Sequence, residues 1–216
     1  MKTHIVTHYQ TDIWAAQKFW NMSRENNRKW AAKLGWNFIL DEKERTHDIK
    51  LKRGIYRIKA LVIYDALLGM DLGDRALWLD GDTLIVRDPS AIFGELGDAK
   101  VGMAKFRPKT LNSGVMPIVV CEETLDLFKT ALNYNGNRDG YCCESAIMWA
   151  ANNMEREPTG IIREIDRKWN ENWNTRDGDT RIFGFHMMAP TRSAALMEKA
   201  MNYSLRDLGC KFNDKP

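Results

Sequence analysis

Long apolar runs are missing from this sequence of 216 residues. The longest uninterrupted stretches reach about eight residues, as at 114–121, whereas a helix that spans a membrane needs about 20. The amino-terminal residues also lack the apolar core of a secretory signal peptide. We therefore expect no membrane span and a cytoplasmic location; a bacterial or virus-encoded protein, or one domain of a larger protein, fits this expectation.

Cysteine is scarce, and its spacing is not that of a metal site. The four cysteines are Cys121, Cys142, Cys143 and Cys210. They form no Cys-x-x-Cys pair and no Cys/His pattern of the zinc-binding kind. This excludes a zinc finger and a small disulfide-stapled secreted domain, and it predicts reduced cysteines.

The excess of positive over negative charge is small. A formal net charge of +3 and a pI near 8.6 are too mild to indicate a nucleic-acid-binding protein. Residues 24–59 nevertheless hold eleven Lys and Arg against five Asp and Glu, a local +6 that leaves −3 for the rest. This segment, which includes the polar stretch 43–53, suits an anionic small ligand; a solvated helix face is the alternative.

What the sequence does have is an alternation of strand-like and helix-like segments. Apolar runs at 2–9, 36–40 and 76–80 indicate strands, and the segments 13–34 and 55–70 indicate helices. The run 76–80 does not alternate with polar residues, which is typical of a parallel strand covered on both faces. The order predicts a single α/β domain with a layered sheet.

The second half of the chain continues this pattern less regularly. Strands are predicted at 101–106, 115–120, 160–165 and 181–186, and helices at 122–134, 142–153 and 193–208. No repeat, low-complexity tract or linker separates these segments from the first half. The sequence therefore draws no domain boundary of its own.

The clearest chemical motif, Asp80-Gly81-Asp82-Thr83, follows the predicted buried strand. Ligands of open α/β sheets collect beyond the carboxyl ends of the strands. Side chains at i and i+2 of an extended chain point the same way, so Asp80 and Asp82 can share one cation. Their oxygens suit Mg²⁺ or Mn²⁺, and Gly81 leaves room for a bulky ligand.

The same four letters recur at Asp177-Gly178-Asp179-Thr180, so the motif by itself is weak. This second copy follows the polar run 170–176 and precedes another short strand, which predicts a surface turn. His186 closes that strand and is a candidate third metal ligand. A nitrogen donor shifts the preference from Mg²⁺ toward Mn²⁺.

Four short motifs now follow one another along the chain. They are Thr7-His8-Tyr9; Arg57 and Lys59 ahead of Asp80-Gly81-Asp82; Asn112-Ser113-Gly114-Val115; and Phe185-His186. In this order they resemble the GT-A glycosyltransferases, above all the glycogenin-like enzymes, the fungal galactosyl- and mannosyltransferases and the plant xylosyltransferases. The resemblance covers the chain as far as about His186 and implies a mixed, mostly parallel central sheet flanked by helices, with a Rossmann-like amino-terminal half.

The resemblance also implies an activity. It implies a metal-dependent enzyme that moves a sugar, with retention, from a nucleotide-diphosphate sugar to a glycan or glycoprotein acceptor. A UDP-sugar is the favoured donor and a GDP-sugar the alternative. Residues 1–106 would form the nucleotide-binding half, and residues 107–216 would complete the metal site and bind the acceptor.

Carried over residue by residue, the resemblance assigns roles to the motif residues. The implied metal ligands are Asp80, Asp82 and His186, with the ribose as an alternative partner of Asp80. The implied nucleotide and donor contacts are Thr7, His8, Tyr9, Arg57, Lys59, Gly81 and Ser113. Asn112 borders the donor sugar with Ser113 and is, beside Glu144, a candidate catalytic residue. Independently of the family, a bound cation together with Lys59 or Arg57 would stabilise the charge that grows on a departing diphosphate.

One departure from the family leaves the catalytic role open. Many relatives carry an Asp-Gln pair where this chain has Cys142, Cys143 and Glu144. Glu144 is the catalytic candidate, as a base or as a stabiliser of the sugar cation. A carboxylate is also favoured in the first turn of any helix, so a structural role stays open.

Two other functions compete with glycosyl transfer. A haloacid-dehalogenase-type phosphatase also uses Asp-x-Asp after an apolar strand, but it expects Thr two residues after the second Asp, where this chain has Leu84. A catalytically silent nucleotide-sugar-binding module is the second alternative, favoured by Cys143 in place of the usual acid.

Overall fold

The described part of the chain alternates strands and helices in the predicted order. The structure, a computed structural model, describes residues 1–8, 17–43, 55–107, 110–134, 143–154, 160–172, 179–185, 199–202, 204 and 208. The strands are β1 (Thr3–His8), β2 (Asn37–Asp41), β3 (Arg75–Leu79), β4 (Thr83–Ile85), β5 (Val101–Arg107), β6 (Thr110–Asn112), β7 (Val115–Val119), β8 (Ile162–Ile165), β9 (Glu171–Asn172) and β10 (Ile182–Gly184). The helices are α1 (Gln17–Leu34), α2 (Ile55–Leu68), α3 (Glu122–Ala131) and α4 (Cys143–Asn153).

A seven-stranded sheet forms the centre, in the order β2-β1-β3-β7-β5-β6 with β8 paired to β5. Strands β1, β2, β3, β5 and β8 run in one direction, and β6 and β7 run in the other. The expectation of a mixed, mostly parallel sheet flanked by helices is confirmed. A second sheet, in the order β4-β10-β9, holds the strand that follows the first Asp-Gly-Asp motif.

The central strands are buried on both faces, as their unbroken apolar runs predict. On one face Val6 of β1 and Trp78 of β3 pack in a cluster with Ile58 of α2. On the other face Ile5 and Leu77 belong to a second cluster with residues of α1. Neighbouring residues of one strand thus enter different apolar layers, which fixes the register of β1 and β3.

Strand β4 is too short to be predicted, and side chains of α1 support it in addition to its partner strand β10. The Asn26 amide donates to the Ile85 carbonyl at 2.8 Å, and the Asn27 side-chain oxygen accepts from the Ile85 backbone N–H at 3.1 Å. Ser23 donates to the carbonyl of Thr83. The chain that leaves the Asp-Gly-Asp motif is therefore fixed by side chains of a helix as well as by β10.

No helix within the described ranges is both long enough and apolar enough to cross a bilayer. Several predictions fall outside those ranges: Tyr9, most of the stretch 43–53, His186 and most of the helix at 193–208. The division into residues 1–106 and 107–216 stays a prediction.

Candidate active site

The candidate site lies where the parallel strands β1, β2 and β3 end. His8 and Asp41 are paired in register at the ends of β1 and β2, and Asp80 follows β3 directly. Strand β7 starts at the same edge, because it is antiparallel to β3. The Asp80 backbone N–H donates to the Gly114 carbonyl at 2.8 Å. This bond joins the motif that contains Asp80 to the motif that contains Ser113.

The Asp-Gly-Asp-Thr segment forms a closed turn. Both the backbone N–H and the hydroxyl of Thr83 donate to the Asp80 carbonyl, at 3.0 and 2.7 Å. The carbonyl of Asp82 accepts from the Phe185 backbone N–H at 3.1 Å, and Asp82 Oδ1 is shielded from solvent. Backbone hydrogen bonds on both sides of the motif thus fix the backbone positions from which the Asp80 and Asp82 side chains extend.

The space beside Gly81 is taken by the protein itself. A Cβ at this position would lie 3.3 Å from the His8 carbonyl oxygen and 3.3 Å from two atoms of the Trp20 indole. The sequence argument assigned this space to a ligand. The structure gives a different reason for glycine here, since α1 and β1 pack closely against the turn.

Lys59 occupies the centre of the site. Its Nζ lies 2.7 Å from Asp80 Oδ1 and 2.8 Å from Asp80 Oδ2, and it donates to Ser113 Oγ at 2.8 Å. The Lys59 and Asp80 side chains are 10% and 22% exposed, so this is a largely desolvated pair. Lys59 thus places one positive charge beside the Asp80 carboxylate, at the sheet edge where ligands of such folds collect.

Glu144 joins this cluster through Ser113. The Ser113 backbone N–H and hydroxyl both donate to Glu144 Oε1, at 3.0 and 2.9 Å. The Ser113 hydroxyl therefore accepts from Lys59 and donates to Glu144. Glu144 lies in the first turn of α4, so the residue has the structural role that its position predicts and also lies within the site.

Asn112 braces the neighbouring turn. Its Oδ1 accepts from the Gly114 backbone N–H at 2.6 Å and from the Asn170 amide at 2.7 Å. Asn170 is 8% exposed and precedes β9 of the second sheet. The contact brings the polar segment that begins at Asn170 to the loop that holds Ser113.

His8 is held in one orientation by Asp41. Its Nδ1 lies 3.0 Å from Asp41 Oδ2 and 3.1 Å from the Asp41 carbonyl oxygen. Both atoms are acceptors, so Nδ1 carries the hydrogen and Nε2 of the neutral ring is an acceptor. Nε2 is buried and has no hydrogen-bond partner within the described ranges. Thr7, by contrast, is 4% exposed inside the sheet.

With this geometry in place, the chain can be compared with known proteins. No protein-family model and no curated protein sequence matches it. A glycosyltransferase involved in the glycosylation of the major capsid of PBCV-1 is similar at a TM-score of 0.74 and 13% identity, over 92% of this chain and 100% of that one. GlyE of Streptococcus pneumoniae TIGR4, a glycosyltransferase, is similar at 0.56 and 12%, over 97% of this chain and 62% of that one. An active-site mutant of LgtC is similar at 0.54 and 18%, over 91% and 95%.

The chain has the GT-A fold. The sequence identities are low, so the likeness shows a shared backbone fold. The chemistry of the site has to be inferred from the residues of this chain. In the GT-A frame the cluster of Lys59, Asp80, Ser113 and Glu144 lies at the carboxyl edge, with Asn112 beside it. Four of the residues that the sequence singled out are thus linked in a chain of contacts, from Asp80 through Lys59 and Ser113 to Glu144.

The remaining predicted ligands are less completely placed. Arg57 lies in α2, but its side chain is outside the described part, as are Tyr9 and His186. Within the described residues no group of three His, Cys, Asp or Glu side chains is arranged to hold a metal ion. The metal site of Asp80, Asp82 and His186 therefore stays a prediction.

The second Asp-Gly-Asp copy lies in a different environment. The Asp179 side chain is 57% exposed and lies 3.1 Å from Arg181 Nη2 and 4.0 Å from Lys168 Nζ. These are surface ion pairs, which contribute little to the free energy of unfolding. The described part of this copy agrees with a surface turn.

Three residues at this carboxyl edge of the sheet were not predicted from the sequence: Asp41, Trp20 and Trp78. Asp41 pairs with His8, and Trp20 packs on Gly81. The Trp78 indole N–H donates to Asp80 Oδ1 at 2.8 Å. A signal was available for Trp78, because residues two apart on a strand share a face. No comparable signal identifies Trp20 or Asp41, which come from elements far away in sequence.

Proposed function

We propose that this protein is a metal-dependent glycosyltransferase that moves a sugar from a nucleotide-diphosphate sugar to a glycan or protein-linked acceptor. The observation that carries the proposal is the Lys59 ammonium held between Asp80 and Ser113 at the carboxyl edge of a GT-A sheet. A cation beside the first carboxylate of the Asp-Gly-Asp motif suits a diphosphate that arrives with its own metal ion.

The carboxylates fit an oxygen-preferring divalent cation. Asp80 accepts from Lys59 and from Trp78, and a carboxylate has about four lone-pair positions, so it retains capacity for a metal. Asp80 and Asp82 would hold Mn²⁺ or Mg²⁺, with His186 as the third ligand. When bound, such an ion neutralises charge on a diphosphate leaving group.

Lys59 has the chemistry to act on the same charge. An ammonium in a largely desolvated site interacts more strongly with a developing anion than it does in water. Lys59 would donate to a diphosphate oxygen while it keeps its contact with Asp80. Arg57 stays a predicted contact of the diphosphate, as the family resemblance implies.

Glu144, Ser113 and Asn112 would border the donor sugar. Glu144 Oε1 holds Ser113 in place, so a role of Glu144 as base or as stabiliser of the sugar cation requires its other oxygen or release of Ser113. We include retention of configuration in the proposal, because the family resemblance favours it. Proton NMR of the first-formed product reports the anomer directly.

The GT-A neighbours support the reaction class in outline. Three of those with TM-scores above 0.5 are named as glycosyltransferases, and one of them is involved in the glycosylation of the major capsid of PBCV-1. That precedent favours a glycan or glycoprotein acceptor. UDP is the favoured nucleotide and GDP the alternative, because the family resemblance favours them. No observation supports the phosphatase reading.

The deciding experiment is calorimetric titration of the protein with UDP, GDP, CDP and ADP, with and without Mn²⁺. Manganese-dependent binding of one nucleoside diphosphate supports the proposal and identifies the base. Binding of none of the four, or identical binding without metal, would contradict it. Slow hydrolysis of the matching sugar donor then separates an active transferase from a silent binding module.

A further inference from the structure

The buried indole of Trp78 has no role in the chemistry proposed above, yet its N–H points into the site. Trp78 is 2% exposed, in the apolar cluster between β3 and α2. Its Nε1 lies 2.8 Å from Asp80 Oδ1. An indole buried this deeply needs an acceptor for its single N–H, and here the acceptor is a carboxylate of the candidate site.

The bond follows from strand geometry. Trp78 and Asp80 are two residues apart at the end of β3, so both side chains lie on the α2 face of the sheet. A hydrogen bond to a charged oxygen is shorter and about twice as strong as one between neutral groups. The ring itself is fixed by apolar packing, so its N–H direction is fixed as well.

Asp80 is therefore held from two sides. Oδ1 accepts from both Trp78 Nε1 and Lys59 Nζ, and Oδ2 accepts from Lys59. The Lys59 ammonium also lies 5.9 Å from the centre of the Trp78 ring, within the range of a cation–π contact. Rotation of the Asp80 carboxylate would break the indole bond and change the position of the ammonium.

We propose that Trp78 is a positioning residue of the donor site. Its N–H fixes the Asp80 carboxylate, and Asp80 in turn holds Lys59 between itself and Ser113. The inference rests on the proposed function, because the charges that it positions are those assigned to the metal and the diphosphate. Without the indole N–H, Asp80 and Lys59 lose their common orientation while the apolar core stays filled.

The functional test is Trp78→Phe, with Trp30→Phe as its matched control. Trp30 is also buried and donates its indole N–H at 2.7 Å, but to Ser204, on the α1 side of the sheet. Both variants lose one ring and one N–H bond. We expect Trp78→Phe to weaken manganese-dependent UDP binding and to lower kcat by about tenfold, whereas Trp30→Phe leaves both unchanged at a similar loss of thermal stability.

A double-mutant cycle with Asp80→Asn shows whether the effect passes through Asp80. The Trp78→Phe loss should shrink to less than about twofold when Asp80 is already Asn, since coupled residues are not additive. A loss of the same size in both backgrounds would overturn the positioning role. So would equal nucleotide affinity and kcat in the Trp78→Phe and Trp30→Phe proteins.

The contact itself can be measured without any ligand. In a ¹⁵N–¹H spectrum the Trp78 indole signal is the one that Trp78→Phe removes. We expect Asp80→Asn to shift that signal and to leave the Trp30 signal in place; an unmoved Trp78 signal overturns the inference. If the wild-type protein binds no nucleoside diphosphate, the proposed function fails visibly, and the donor-site role of Trp78 falls with it. If the wild type binds and Trp78→Phe is unaffected, only the positioning role fails.

Discussion

Strand β1 carries a histidine–aspartate pair at each end, and the two pairs differ in one respect. At the amino end, His4 Nε2 lies 3.2 Å from Asp74 Oδ2, and His4 Nδ1 lies 3.2 Å from the Asn37 amide nitrogen. At the carboxyl end, His8 Nδ1 lies 3.0 Å from Asp41 Oδ2. The His8 Nε2 is buried without a hydrogen-bond partner in the part of the chain that the structure describes.

This difference separates a structural end of the sheet from the end at which we propose that the ligand binds. The Asp74 carboxylate is 3% exposed and is held by the Lys2 backbone N–H at 2.6 Å. That bond, aided by His4 and opposed by burial, lowers the pKa of Asp74 below its usual value. Both ring nitrogens of His4 have partners, whereas at the other end His8 Nε2 has none among the described residues and lies at the sheet edge that holds the Lys59–Asp80 pair.

The largest effect is expected from Asp82→Asn at the ligand-binding end. Loss of one carboxylate from a two-carboxylate cation site should weaken manganese-dependent UDP binding by about a hundredfold, with little change in Tm. Calorimetry with and without Mn²⁺ measures the first and thermal unfolding the second. Asp179→Asn, in the exposed second copy, is the matched control and should bind like the wild type. Equal losses in the two variants would contradict the assignment.

At the structural end, Asp74→Asn should produce the opposite pattern. Nucleotide binding is expected to survive while Tm falls, because the buried contacts with Lys2 and His4 lose their charged acceptor. Thermal unfolding across pH makes the test sharper. A lowered folded-state pKa means that the Asp74 contribution is complete above its usual value of 3.8 and is lost as the pH falls through the lower folded value. The Tm values of variant and wild type should therefore converge in acid; a constant difference would refute this origin.

Substitution of each histidine in turn tests the difference between the two ends directly. His8→Phe should weaken UDP binding by about tenfold through loss of the Nε2 acceptor, with a small change in Tm. His4→Phe should leave binding intact and lower Tm by roughly 5 °C, because Asp74 and Asn37 lose a partner. Calorimetry measures UDP binding and thermal unfolding measures Tm for both variants. Equal losses of both in the two variants would contradict the distinction between the two ends of β1.

The smallest effect is expected from Gly81→Ala. The added Cβ would lie 3.3 Å from the His8 carbonyl and from the Trp20 indole, so the turn must shift by a few tenths of an ångström. We expect a loss of stability of about 1 kcal/mol and a UDP affinity that falls only a few fold. Gly94→Ala, where no atom lies within 4 Å of the added Cβ, is the control; equal behaviour of the two would show that packing at Gly81 is unimportant.

Much of the fold followed from local patterns. The unbroken apolar run before Asp80 predicted a strand covered on both faces, and Leu77 and Trp78 are indeed buried in opposite layers. Strand β4 was missed, because three residues carry too little pattern and the strand depends on Asn26 and Asn27 of α1. Sequence spacing cannot report a strand that is supported by helix side chains.

The site, like the fold, was predicted only in part, because some of its contacts join elements that are distant in sequence. Motif order singled out Lys59, Asp80 and Ser113, which are in contact. It did not reveal that Glu144 binds Ser113 or that Trp20 fills the space beside Gly81. Both contacts join elements that are distant along the chain, and neither residue type is unusual at its position.

The sequence by itself determined which residues carry charge at the ends of buried strands, because strand period and burial are local properties. Only the tertiary structure decided how those charges are used. The same strand holds one histidine–aspartate pair in which both ring nitrogens have partners, and another in which Nε2 has none among the described residues. The difference lies in the neighbours that folding supplies: Asn37 reaches His4 from the adjacent strand, and no described residue gives His8 Nε2 the same contact.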